Sequence, residues 1–296
     1  MSARIFNPIP ESELIITERG TIYHLDLAPE NLAQTVITVG DPGRVKEVSK
    51  YFDSITHTAH HREFISHTGY IGKKHLTVLS SGIGPDNIDI VMNELDALVN
   101  IDFHSRTIKE IKTQLSIIRL GTCGSLQKDV PVDAMVVASH GLGLDNLLQY
   151  YKHENTHEEL YILQEFHKHA HLSSKNIHPY IAEGAISLRK HFGPEFVHGI
   201  TATCPGFYGP QGRLLRLPLA FPHLIDALTT FRCYESRITN FEMETSAIYG
   251  LGRLLGHKCL SVNTVVANRV SKTFSKNATQ TIEDMIRKSL EIIAGI

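Results

Sequence analysis

The 296-residue chain carries 29 basic and 31 acidic side chains, a net charge of -2, with 42% hydrophobic and 20% charged residues. That balance belongs to a soluble globular protein rather than a disordered one, and it gives no general attraction to nucleic acid or to a membrane surface. No run approaches the ~20 apolar residues of a membrane helix. The N-terminus MSARIFNPIPESELII lacks a charged-then-apolar signal pattern, and Cys123, Cys204, Cys233 and Cys259 form no CxxC, so a cytoplasmic protein with reduced thiols is expected.

Residues 1–20, with Pro8 and Pro10, read as an irregular arm, and residues 21–296 as one α/β domain without repeats or linkers. TVITV (35–39) predicts a buried strand that ends in GDPGR and leads into the helical pattern VKEVSKYF. HLTVLS (75–80) leads into SGIGPDN and a long helix from about Asp86, and LSIIRL (115–120) leads into GTCGS, read as a third glycine turn. Further strands are predicted at 133–139, 196–203 and 258–268, and helices near 176–192, 222–232, 243–255 and 278–293. In sheets of this kind ligands bind beyond the carboxyl ends of the strands.

GDPGR and RLGTCG have a composition suited to an anion. Glycine lets backbone N–H groups approach, Arg44 and Arg119 add forked donors, and Thr122 adds a hydroxyl. Equally, Gly40 and Gly43 would do no more than shape a strand-to-helix turn, with Arg44 solvated. Glu242 and Glu244 stand near the start of the helix in FEMETSAIYGLGRLLG. There a carboxylate either interacts favourably with the helix dipole or grips paired sugar hydroxyls. In GFYGPQGR the glycines and proline fix a loop whose purpose lies in Phe207, Tyr208, Gln211 and Arg213. HENTH (153–157) matches the two-histidine pattern of zinc peptidases, although Leu160 and Leu163 break its extended form; the surrounding YYKHENTHEELYILQEFHKH reads as an amphipathic surface helix.

Taken in order, GDPGRV, HREF, RLGTCG, FYGPQGR and FEMET resemble the motifs of the nucleoside phosphorylase family, uridine phosphorylase type, from about residue 21 to the C-terminus. The resemblance implies a single-domain three-layer α/β/α sandwich with a central mixed sheet, acting as a pentosyltransferase on uridine and inorganic phosphate. It implies no metal or organic cofactor, since phosphate is a co-substrate, and a homodimer or hexamer with shared active sites.

Carried over residue by residue, the resemblance implies phosphate among Gly40, Arg44, Arg119 and Thr122, with Arg62 of HREF reaching in from a neighbouring subunit. Ribose would lie against Met243 and Glu244 with Glu242 nearby, and the neighbour's His24 would meet the 5′-hydroxyl. Phe207 would pack on the base while Gln211 and Arg213 bond it, Arg213 stabilising the leaving group. TVVANRVSK (264–272) lacks the aspartate that relatives acting on purines carry there, which favours a pyrimidine. Two places depart from the pattern: GIGPDN stands where GIGGPS is common, and Cys123 where a hydroxyl is usual. Glu63 resembles a monovalent-cation ligand of some family interfaces. A broader pyrimidine or purine scope and a non-catalytic nucleoside-binding protein on the same fold are the alternatives.

Overall fold

A computed structural model describes residues 7–172 and 177–296. In chain order it begins with β1 (Thr35–Val39), α1 (Pro42–Ser49), β2 (Ser54–His61), β3 (Phe64–Ile71), β4 (Lys74–Ser80), α2 (Pro85–Asn100) and the small pair β5 (Ile101–Asp102) and β6 (Thr107–Ile108). It continues with β7 (Ser116–Ser125), β8 (Met135–Gly143), α3 (His157–Ala170), β9 (Tyr180–Glu183), α4 (Ile186–Arg189), β10 (Phe196–Thr203) and α5 (Leu224–Thr230). The last elements are β11 (Arg232–Cys233), β12 (Ser236–Glu242), α6 (Thr245–Leu255), β13 (Lys258–Asn268), β14 (Thr273–Phe274) and α7 (Ala278–Ala294).

Every residue of β1 is buried, so helices must cover both faces of its sheet. Val36 packs on one side with Val91 and Leu95 of α2 and Ile248 of α6. Ile37 and Val39 pack on the other with Val45 and Val48 of α1, Leu188 of α4 and Ile286 of α7. This is the expected three-layer α/β/α sandwich about a mixed sheet. The strands run β2-β3-β4-β1-β7-β13-β8-β10-β12-β11, and an extra β7–β12 pairing closes β7, β13, β8, β10 and β12 into a ring. β7 and β12 are antiparallel and meet only at their carboxyl ends, Ser125 opposite Asn240 and Gly124 opposite Phe241. The segments on either side of that junction, around Thr122 and around Glu242–Glu244, therefore arrive at one place.

Several expectations are corrected. GTCGS is not a turn: β7 runs through Gly121 to Ser125 because β13 pairs with it along that whole length. The helix expected at 176–192, of which residue 176 lies outside the described residues, is replaced by β9, which adds to β8, and by the short α4. The helix around HENTH begins only at His157, capped by Thr156. His153 precedes it and bonds the Tyr151 carbonyl, so the two imidazoles share no helix face. β2, β3 and β12 carry no long apolar run to announce them. β2 is a largely exposed edge strand, and β12 buries Thr239 and Asn240 as well as Ile238 and Phe241.

The arm is not free. Within residues 7–20 the Arg106 side chain, beside the β5–β6 pair, donates to the carbonyls of Ile9, Pro10 and Leu14. α3 is fastened through Glu159, whose fully buried carboxylate accepts from the backbone N–H groups of Thr156 and Glu183 and from Arg253 of α6. Replacing it, Glu159→Ala, strands those donors. The expected cost is on the order of 3 kcal/mol, read as a fall in melting temperature of roughly 5–10 °C; a change under about 2 °C would show that α3 is held by its apolar face alone.

Candidate functional site

The carboxyl ends of β1, β4, β7, β12 and β13 and the loop after β10 surround a cavity of about 700 Å³, a volume suited to a small-molecule ligand. One wall begins at GDPGR. Asp41 caps α1 by accepting from the Gly43 N–H at 2.8 Å, and Pro42 occupies the first turn, an arrangement that starts a helix without using Arg44. Arg44 lines the cavity, and its side chain has no hydrogen-bond partner among the described residues. Burial first, and then the charge of Arg119, lower its hold on its proton.

Arg119 comes from the middle of β7. Its guanidinium donates to Asn263 Oδ1 of β13 at 2.5 Å and to Glu244, and it lies 3.6 Å from Glu242. Burial opposes its charge, but Glu244 and Glu242 outweigh that cost and strengthen its hold on the proton. Gly121 makes the pose available: a β-carbon there would come within 1.7 Å of Arg119 Nη1. The glycine read as a turn former is thus the space into which an arginine folds.

The two glutamates divide the alternatives left open for them. Glu242 accepts from the Glu244 and Thr245 backbone N–H groups and from Thr203 Oγ1 at 2.7 Å, so it neutralises the start of α6; burial raises its pKa, against the pull of Arg119. Glu244 turns instead to Arg119 and accepts from Gly84 N–H with its other oxygen at 2.8 Å. Met243 lines the cavity between them.

The 206–213 loop supplies another wall. Arg213 lies over the Phe207 ring at 3.7 Å and donates to the Phe207 carbonyl and to Gln211 Oε1 at 2.5 Å. With its oxygen so held, buried Gln211 retains its amide N–H₂ as donor. Arg269, which no motif in the sequence singles out, donates to the Gln211 carbonyl at 2.9 Å and lies over Phe241 at 5.7 Å. Burial, then repulsion by Arg269, lowers the pKa of Arg213.

Gly40, Arg44, Arg119, Thr122, Phe207, Gln211, Arg213, Glu242, Met243 and Glu244 all line this one cavity, as do Glu63, Cys123 and Phe241. His24 and Arg62 do not. They lie together around Tyr23, whose ring is 4.8 Å from that of His24 and 5.9 Å from the Arg62 guanidinium carbon. Arg62 and Glu63 form the two-residue tip of the β2–β3 hairpin, Arg62 at φ 54°. Glu63 enters the cavity, and its carboxylate accepts from Asn87 at 3.3 Å.

Residues 34–296 match the model of the phosphorylase superfamily. The uridine phosphorylase of Thermococcus kodakarensis is 29% identical over 282 residues, 94% of this chain and 88% of its own. The DeoD-type purine nucleoside phosphorylase of Shewanella denitrificans is 25% identical over 271 residues, 90% of this chain and 96% of its own. Among solved structures, the nucleoside phosphorylase of Trypanosoma brucei, which shows uridine phosphorylase activity, superposes with a TM-score of 0.86 at 32% identity, covering 96% of this chain and all of that one.

Cys123, the departure from a hydroxyl in RLGTCG, is buried against the cavity, and its thiol is pushed up to about 12 by that burial and by the charge of Glu242. At about pH 8 only roughly one thiol in ten thousand would be ionised. Iodoacetamide should leave Cys123 unmodified in the native protein and alkylate it after denaturation, read by mass spectrometry. Rapid native labelling would show that this part of the cavity opens to solvent.

Proposed function

The chain belongs to the phosphorylase superfamily, and from that premise we infer that it is a uridine phosphorylase, a pentosyltransferase that converts uridine and phosphate reversibly to uracil and ribose 1-phosphate. The observation that carries this reading is the pairing, in one cavity, of an unpartnered Arg44 beside Arg119 with a donor-bearing loop at Gln211 and Arg213. A bound anion would relieve the first pair, and a base that gains negative charge would meet the second.

On this reading phosphate lies among Gly40, Arg44, Arg119 and Thr122, and ribose lies against Met243 with its hydroxyls on Glu244, which Glu242 and Arg119 hold in place. A phosphate oxygen bonds to C1′ as the C1′–N1 bond breaks. The bonding pair passes to N1 and spreads to the base carbonyls, and the departing uracil anion takes its proton from water. The sugar is cationic in the transition state, so a phosphate held beside it is both nucleophile and counter-charge. Arg213 strengthens its interaction as the base becomes anionic, which lowers the barrier rather than only binding substrate. No metal or organic cofactor enters these steps.

The cationic base end supports a pyrimidine over a purine. The cavity carboxylates Asp41, Glu63, Glu242 and Glu244 belong to other walls, so none is offered there to protonate a purine ring. His24 and Arg62 sharing one surface patch supports their joint entry into the cavity of a neighbouring subunit, in a homodimer or a hexamer of dimers. No helix among the described residues is long and apolar enough to cross a membrane, and four free, buried cysteines fit a cytoplasmic setting.

Base release from uridine, thymidine, inosine and adenosine, each with and without inorganic phosphate, tests the reading; phosphate-dependent release of uracil with purines inert is expected, and purine release would displace the assignment of the base end. Arg44→Ala should raise the KM for phosphate and Arg213→Ala should depress kcat, each by roughly ten- to hundredfold for a lost charge-assisted contact. An unchanged kcat for Arg213→Ala would remove its role.

A further inference from the structure

Glu94, on the third turn of α2, makes four contacts with His24 and Leu25, in the segment that precedes β1. Its oxygens accept from His24 Nδ1 at 2.6 Å, from the His24 backbone N–H at 3.1 and 3.2 Å, and from the Leu25 N–H at 2.9 Å. Both side chains are mostly buried, with 13% of Glu94 and 27% of His24 exposed. A carboxylate accepts only, so the imidazole must bring a proton to Nδ1. That leaves Nε2 as the ring atom free to face outward, and the three backbone contacts prevent the ring from swinging away with its segment.

We propose that Glu94 is a positioning residue for the uridine reaction, fixing the tautomer and direction in which His24 meets the substrate's 5′-hydroxyl. The inference rests on the reading of His24 given above and goes beyond it in naming what holds that histidine. α2 is well placed for the task. Its first turn abuts Gly84, whose N–H binds Glu244, so one helix supports the ribose glutamate of its own cavity and, about 15 Å further along, the histidine offered to the neighbouring one.

The test compares kcat/KM for uridine with that for 5′-deoxyuridine, which lacks the group His24 would contact. His24→Ala should lower the preference for uridine by roughly tenfold, the scale of one hydrogen bond. Glu94→Gln should lower it nearly as far, and the double variant no further. A purely structural anchor would depress both substrates alike and leave the ratio unchanged. If only His24→Ala moves the ratio, Glu94 is not a positioning residue while the reading of His24 stands; if neither does, that reading fails and this inference with it. Ring ¹⁵N shifts of His24 in the unaltered protein give a check that needs no variant: a protonated Nδ1 is expected, and a bare Nδ1 would overturn the proposal.

Discussion

The burial of one guanidinium, that of Arg119, against Glu244 and Asn263 organises the site. Removing either charge from a buried pair leaves the other stranded, at a typical cost of 3–5 kcal/mol, so the partners are fixed to one another. Glu244 in turn takes the Gly84 N–H ahead of α2, while Glu242, beside the same arginine, takes the first N–H groups of α6. Two helix starts and two strands are referred to a single cation. The pairing of β13 with β7 sets Asn263 directly opposite Gly121, the residue over which Arg119 folds.

This arrangement separates the tasks of the two arginines at the proposed phosphate site. The charge of Arg119 is already answered by carboxylates, so it works mainly as a fixed framework with a remaining donor face. The Arg44 side chain bonds no carboxylate among the described residues, and the charges of Asp41 and Glu244 do not offset its burial and the repulsion of Arg119, so its unbalanced charge favours an anion. A second unbalanced region lies at Arg213 and Arg269, which repel each other across the backbone of Gln211. On the proposed reading nucleophile and leaving base are both negative in the transition state, and Arg44 and Arg213 stand at the two ends with Glu242 and Glu244 between them.

Much of this was legible in the sequence because the relevant residues cluster in short motifs: the apolar runs of β1, β10 and β13 declare themselves, and ten of the twelve site residues expected by resemblance line one cavity. What could not be read has particular causes. Gly121 looks like a turn glycine because sequence does not reveal that a side chain two residues away occupies its missing β-carbon. β12 buries Thr239 and Asn240, so it lacks the apolar signature of a core strand. Arg269 and Glu94 act through contacts 58 and 70 residues distant in sequence, which no local pattern encodes. His24 and Arg62 were named by resemblance alone, and their meeting around Tyr23 is a product of the fold that no local pattern shows.

The β2–β3 hairpin tip has a consequence for how such a chain can change over time. Arg62 is exposed beside Tyr23, while its neighbour Glu63 enters the cavity and meets Asn87. Adjacent residues in a tight turn point in different directions only while the turn keeps its length. A substitution at the tip alters one contact at a time and can be compensated. An inserted or deleted residue would rotate the whole tip, carrying the arginine and the glutamate out of their places at once. Length is therefore the heritable property of this hairpin with the least room to drift.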